Sequence, residues 1–427
     1  MFADWTQWTS SLTLNDLFWM LLPLMMLDGL RYVGGGLGCF VVDLTTDLWH
    51  SLFPKPPQDP YPYCPSVCVI LAGLNEADTI GDTLATVWGS YPRMEIVVVD
   101  DGSNDGMADV AAKFATTHEG VLVLRKPHRG GKSSALNFAL PFTKADFLVC
   151  VDTDSLLGPN AIWEIVQPLA DENVAAASGT VILRNRDTNL CTRLQAFEYL
   201  RNIFIGRMIA SRLGILGIVS GAFGAFRRTA LERVGGWDVG PGEDGDLVLR
   251  LRKQGFQVVF NPYAQCYTNS PTNFKWLFKQ RRRWEWAVIT FECRKHVDMA
   301  SPFNACFTWS NFFLLLDRWF YGVILLYLGT VGFFYCAWLY GHYLLYMFFV
   351  QYCAYVVLET IQALLILYYS LDKARDLKSC IVLPLMPFFA LFMRAASLVA
   401  VTEEIFTRRS FKDNFVPPHV RRVTWHW

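Results

Sequence analysis

The sequence predicts an α/β domain with a mostly parallel sheet, flanked by amino- and carboxyl-terminal transmembrane helices. Three observations carry that expectation. Of the 427 residues, 53% are hydrophobic and only 18% are charged, which is too apolar for an ordinary soluble enzyme. The excess is concentrated: from Phe303 to Ser370 the only formally charged residues are Asp317, Arg318 and Glu359, as in membrane spans. Between Ser66 and about Phe260 the pattern changes to short β-branched runs alternating with longer mixed segments, the mark of an α/β fold.

Taken in order, Leu12 to Val42 is largely apolar but interrupted by Asp16, Asp28 and Arg31, and it carries the glycines of GGGLG. One long tilted span or two short ones both fit within residues 1–52. The start MFADWTQ lacks the basic stretch of a cleaved signal. A proline-rich linker, residues 53–65, leads into the α/β domain at 66–264. There Val67–Leu71, Glu95–Val99, Val121–Leu124 and Phe147–Val151 read as strands, while Ala77–Trp88, Met107–Ala115 and a segment starting at Ser133 read as helices. Ligands of such a sheet sit at the carboxyl ends of its strands.

Residues 265–302 hold an interfacial helix, Phe274 to Phe291, with tryptophans and basic groups interleaved. The membrane bundle, 303–403, offers three spans at about Trp319–Trp338, Tyr343–Tyr369 and Ile381–Val401, followed by a basic tail, 404–427. The basic loop LDKARDLK and the basic tail flank a single span, so the positive-inside rule is met at both ends only if the last segment is re-entrant. Lysine plus arginine equals aspartate plus glutamate, 38 of each, so no charge excess advertises a nucleic-acid partner. Eleven scattered cysteines show neither disulfide-framework nor zinc-ribbon spacing.

The chemistry gathers at strand ends. The second strand runs into VVVDDGSNDG, placing Asp100 and Asp101 where a carboxylate accepts hydrogen bonds from a base or ribose; an acidic turn capping the next helix fits the same residues. The fourth ends in VCVDTDS, where Asp152 and Asp154 offer two hard oxygen ligands to Mg2+ or Mn2+. In HRGGKSS, glycines permit close backbone approach and Lys132 can neutralise a phosphate, but the GxxxxGK[ST] spacing of a P-loop is absent. In GPGEDGD, Asp244 is the candidate general base and Glu243 its neighbour; a helix cap is the plainer reading of either Asp244 or Asp246. In QRRRW, Gln280 and Trp284 share a helix face with Arg283 beside them, suited to gripping a diphosphate and stacking a sugar, or to a basic collar at lipid headgroups.

Together these motifs resemble the membrane-embedded processive family 2 glycosyltransferases, the group of cellulose, chitin, hyaluronan and poly-N-acetylglucosamine synthases, and the resemblance covers essentially the whole chain. SGTVILRNRDTNLCTRLQAFEYLRNIFIGR and SGAFGAFRRTALERVGGWD look most like the bacterial poly-β-1,6-N-acetylglucosamine synthases. The resemblance implies a GT-A fold and a metal-dependent, inverting, processive transfer from a UDP-sugar, with UDP-N-acetylglucosamine the best guess. Asp100, Asp101 and Lys132 then bind the uridine diphosphate; Asp152 and Asp154 hold the metal and diphosphate. Asp244 is the base, and Gln280, Arg283 and Trp284 hold diphosphate and the acceptor end. It further implies a multi-pass protein of the cell membrane with its catalytic domain cytoplasmic. The partners are a UDP-sugar, a growing glycan, the bilayer and a small membrane or export protein. Other β-glycan synthases, and one-sugar transfer to a lipid, are the alternatives. GED stands where TED is usual, and Glu285 and Trp286 follow QRRRW where a small residue and glycine are commoner, which puts the sugar identity in doubt.

Overall fold

The computed structural model describes residues 13–54, 59–240, 242–413 and 416–424. The MFADWTQ start, Leu12, the core of the proline-rich linker and Pro241 of GPGEDGD lie outside the described residues.

Eight strands form one sheet: β1 (Val67–Gly73), β2 (Met94–Asp100), β3 (Val121–Arg125), β4 (Phe147–Asp152), β5 (Leu156–Leu157), β6 (Val174–Leu183), β7 (Phe223–Arg227) and β8 (Gln257–Thr268). Their order is β3-β2-β1-β4-β7-β6-β8-β5. The expected mostly parallel sheet is corrected to a mixed one. The four strands read from the sequence pair in parallel, but β7 runs antiparallel to both β4 and β6, and β5 runs antiparallel to β8. The sequence signal for β6 to β8 is weak because their pairing is non-local and β6 begins with a run of small residues, VAAASG. β7 is FGAFR, and β8 contains Pro262 where its pairing with β6 slips; proline is tolerated in sheets at such irregularities.

Side chains alternate across the sheet. Val67, Val69 and Leu71 of β1 enter one apolar core with Ile96, Val98 and Val149. Cys68, Ile70 and Ala72 enter the other, which continues through Phe197 and Ile205 into Ala363, Ile366, Met386 and Phe389. That second core fuses the α/β domain to the apolar helices, so the two parts share one packing unit. The register sets the site: Ala72 faces Asp152 and Gly73 faces Asp100, so both aspartates leave the sheet beside the end of β1.

Three helical segments are long and apolar enough to cross a membrane, Trp309–Trp338, Leu344–Tyr369 and Lys373–Thr407, which marks a multi-pass membrane protein. The expectation of amino-terminal transmembrane segments is corrected. Residues Leu14–Leu52 form one continuous helix, yet among the described residues it is not one of the segments apolar enough to cross a membrane. Asp28, Arg31, Asp43 and Asp47 interrupt its apolar run, and two of these charges are paired: Arg31 with Asp317, and Asp43 with Arg212 at 2.8 Å and with the Tyr369 hydroxyl at 2.6 Å. The GGGLG run has a packing role. A Cβ on Gly35 would lie 2.7 Å from Ile209 Cγ2, and one on Gly36 2.7 Å from Leu365 Cδ1, so small residues let this helix close on its neighbours.

In the sheet, a Cβ on Gly179 would fall 2.7 Å from the Ala264 carbonyl oxygen, a backbone atom that cannot swing aside. Gly179→Ala is expected to destabilise the protein by about 1–3 kcal/mol, read as a lowered thermal unfolding midpoint in detergent.

Candidate active site

The loop after β2 is built around Asp101. Its carboxylate accepts the Gly130 amide at 2.9 Å and the Gly131 amide at 2.6 Å, and pairs with the Lys126 ammonium. Both oxygens are thereby engaged in holding the HRGGK loop in place. A Cβ on Gly102, whose φ is +85°, would meet the Arg129 amide nitrogen at 3.0 Å, so glycine is required for the two loops to touch. Asp100 is also buried and accepts the Ser103 amide at 2.9 Å.

The HRGGK loop delivers Lys132 to the centre. Its ammonium pairs with Asp152 and donates to the Gly221 carbonyl at 2.9 Å. A Cβ on Gly221 would lie 3.2 Å from Lys132 Nζ and 3.5 Å from Asp244 Oδ2. The bare glycine is therefore what allows the end of β4, the HRGGK loop and the GED turn to meet at one point. Burial pulls the Lys132 pKa down, but Asp152, Glu243 and Asp244 outweigh it and hold the ammonium above its usual range. Burial, then Asp244, push the Glu243 carboxyl up while Lys132 and Arg283 pull it down. Burial, then Asp152, push Asp154 up. Glu76, which the sequence reading passed over, is raised by burial and by Asp154, Asp105 and Asp152.

The helix Glu243–Lys253 starts after Gly242, where φ is +106° and a Cβ would strike Ala287 Cβ at 2.6 Å. This contact packs the GED turn against the helix Phe274–Ala287 that carries QRRRW. Asp246 does not cap the helix: it is fully buried and accepts from Arg250 at 2.8 Å, Lys295 at 2.7 Å and His296 Nε2 at 2.8 Å. Those donors outweigh burial and hold its pKa far below the usual carboxylate range. It ties the GED helix to the segment following QRRRW.

On the QRRRW helix, Trp284 is 45% exposed whereas Trp286 is 2% exposed. Arg281 lies 4.0 Å over the Trp284 ring and is locked by Glu198 at 2.8 Å, leaving the indole fixed on one side and open on the other. Gln280 Oε1 is buried with no hydrogen-bond partner among the described residues. Gln280 and Arg283 line a cavity of about 1180 Å3 with Arg129, Lys279, Arg409 and Lys412, a cationic enclosure suited to a polyphosphate. Lys132, Asp152, Asp244 and Trp284 are not among the residues lining it; Arg283, whose charge also acts on Glu243, connects it to them. The carboxyl-terminal segment closes one side of the site: Asp413 lies 3.3 Å from Arg283, and Pro417 Cδ is 3.6 Å from where a Gly131 Cβ would stand. Arg129, Arg409 and Asp413 were not legible as site residues, since nothing in their spacing points to a ligand.

Among the described residues no group of three or more histidine, cysteine, aspartate or glutamate side chains is arranged to hold a metal ion. The donor set at Asp152 and Asp154 nonetheless fits Mg2+ or Mn2+. These ions commonly take one or two carboxylates and complete their shell with water and substrate phosphate, and the strain on Asp154 is the kind a cation relieves.

Residues 65–287 match the family described as "Glycosyltransferase like family 2". The chain belongs to that family. Similar proteins include the poly-beta-1,6-N-acetyl-D-glucosamine synthase of Staphylococcus aureus (strain MSSA476), 29% identical over 243 residues, 56% of this chain and 58% of that one. The namesake of Staphylococcus epidermidis is 29% identical over 221 residues, 51% and 53% of the two chains. The chain thus spans little more than half the length of these curated relatives. Among solved structures, a mannosyltransferase from Pyrobaculum calidifontis in complex with GDP-Man and Mn2+ aligns over 90% of this chain and 99% of that one, with a TM-score of 0.57 and 22% identity. That likeness is one of fold, and it gives this glycosyltransferase a GT-A-like sheet.

Asp101→Ala is expected to leave Lys126 buried without its partner and two loop amides without an acceptor, costing about 3–5 kcal/mol. Thermal unfolding reports the loss, and faster hydrogen exchange across residues 126–132 locates it.

Proposed function

We propose that this family 2 glycosyltransferase polymerises a β-linked glycan processively from a UDP-sugar, with UDP-N-acetylglucosamine the favoured donor, and passes the product towards its membrane helices. The observation that carries the reading is the convergence at Gly221, where a lysine ammonium and the Asp244 carboxylate oxygen approach one point from two loops while Asp152 completes the cluster. Support for the donor and product comes from the names of the similar staphylococcal proteins. Residues 66–264 form the catalytic domain in this reading, 265–302 the acceptor platform and 303–403 the membrane bundle, with the catalytic domain on the cytoplasmic side.

Asp100 holds the nucleoside, while Asp101 contributes by fixing the loop that presents Lys132. Asp152 and Asp154 hold Mg2+ or Mn2+, which offsets the charge developing on the departing diphosphate. Lys132 and Arg283 bind the diphosphate oxygens, and the orphaned Gln280 Oε1 accepts a donor group from substrate. The open face of Trp284 stacks the acceptor's terminal sugar. Asp244 takes the proton of the attacking hydroxyl, which approaches the anomeric carbon opposite the diphosphate and inverts it. Glu243, whose carboxyl is pushed up by burial and by Asp244, orients its neighbour.

Purified full-length protein in detergent, given a panel of UDP-sugars with Mn2+ or Mg2+, is expected to release UDP from one donor and make a long product. Short products on a lipid acceptor would replace this reading with single-sugar transfer, and a different preferred donor would point to another β-glycan. Asp244→Asn is expected to lower kcat/KM by about 10^2–10^4-fold without weakening donor binding.

Metal dependence has a sign. Asp154 has a raised pKa in the fold, so its contribution to stability is greatest below the unfolded carboxylate pKa and is lost as pH rises through the folded value. At neutral pH the crowded carboxylates therefore favour a cation. Mn2+ is expected to raise the unfolding midpoint at pH 7.5, progressively less towards pH 4, and not at all in Asp154→Asn; a pH-independent shift retained by that variant would refute the assignment.

A further inference from the structure

A row of side chains joins the open tryptophan to the GED turn. Arg281 lies 4.0 Å over the Trp284 ring and 5.5 Å over the Tyr199 ring. Beyond Tyr199 stands Arg207, on the helix Gly206–Arg212. Arg207 Nη1 donates to Ser178 Oγ at 3.1 Å, and the same oxygen accepts the Ser220 amide at 3.1 Å. Ser220 directly precedes Gly221, the point where Lys132 and Asp244 meet. Charges that act on Arg207 include Asp244 and Arg318, and Tyr199 is the neighbouring phenol.

Arg207 differs from the other arginines of this region. Arg281 is paired with Glu198, Arg201 with Glu359, and Arg252 donates to Asn311, Ser310 and two carbonyls. Arg207 makes one hydrogen bond and no ion pair among the described residues, and that bond is to a neutral hydroxyl. A guanidinium has five N–H donors, and Arg207 is only half-buried, so the donors not given to Ser178 stay open to an incoming partner. Burial holds its pKa down, to about 10, so it keeps its charge at neutral pH while most of its donors remain uncommitted. A group in that state is organised for a ligand that supplies oxygen acceptors.

We infer that Arg207 is a specificity-determining residue for the acceptor, donating to a hydroxyl or acyl oxygen of the terminal sugar so that the attacking hydroxyl is presented to Asp244. The inference rests on the proposed reading of the site, with Trp284 as platform and Asp244 as base. It also sets a charge preference. A terminal sugar whose acyl or hydroxyl oxygen accepts from the guanidinium is favoured over one that presents a free ammonium group to it. In the proposed reading the donor diphosphate is served by Lys132 and Arg283, so Arg207 acts on the acceptor and leaves donor affinity alone.

The test uses the full chain in detergent with UDP-N-acetylglucosamine and Mn2+. The acceptor is a soluble β-linked N-acetylglucosamine oligomer, compared with its de-N-acetylated form. Arg207→Gln is expected to raise the acceptor KM about tenfold or more, as loss of charge-assisted hydrogen bonds does. UDP-N-acetylglucosamine affinity and acceptor-free hydrolysis are expected to stay within about twofold, which also shows that the variant is folded. Arg207→Lys should recover part of the loss, since it restores the charge but not the planar fork. Wild type should disfavour the de-N-acetylated oligomer, and Arg207→Gln should narrow that difference. An unchanged acceptor KM, or donor and acceptor terms falling together, overturns the inference while leaving the proposed function in place. Wild-type protein that binds and hydrolyses no UDP-sugar overturns the proposed function, and this inference with it.

Discussion

The pairing of Lys132 with Asp152, made over the Gly221 carbonyl, is the contact on which the arrangement of the site depends. It joins three segments distant in sequence: the HRGGK loop, the end of β4 and the turn before β7. Each segment has its own support, since Asp101 anchors the first, β1 and β7 flank the second, and Ser178 fixes the third through Ser220. The ammonium then faces Glu243 and Asp244 across a glycine that leaves no side chain between them. Three carboxylates around one lysine leave net negative charge, a reason for such a centre to recruit cations from its surroundings.

Around this centre the junction with the membrane helices is charged as well as apolar. Arg31 with Asp317, Arg201 with Glu359, Arg281 with Glu198 and Arg294 with Glu404 each link segments far apart in sequence. Buried pairs add little net stability, but breaking one is expensive. They act as registration marks: Arg294 with Glu404 fixes the segment following QRRRW against the last span, and Arg201 with Glu359 fixes the α/β domain against the span before it. Glu285, which departs from the small residue usual after QRRRW, accepts from Ser397 at 2.6 Å and so belongs to that junction.

The sequence made the first half of the sheet legible because each of its strands is a short β-branched run, and in β2 and β4 acidic residues fall where the run stops. Register then places Asp100 and Asp152 on either side of β1, as strand-end reasoning expects. The second half was not legible: β7 is short and glycine-containing, β8 is broken at Pro262, and their order depends on contacts no local window contains. The amino-terminal helix was misread because an apolar run broken by Arg31 and Asp43 still looks like a tilted span in sequence, while the partners of those charges lie far away in the chain. Among site residues, Lys132, Asp244 and Trp284 announced themselves through motif spacing. Arg207 did not, since its significance lies in the partners it lacks, which only a folded neighbourhood reveals.

The closing side of the cationic cavity is formed by the far end of the polypeptide, where Arg409 and Lys412 contribute to the wall and Pro417 rests against the glycine loop. That segment is therefore part of the cavity itself, adding two cations to its wall. Cutting the chain back before Arg409 would strip those cations away, so a shortened protein would present a different cavity from the one described.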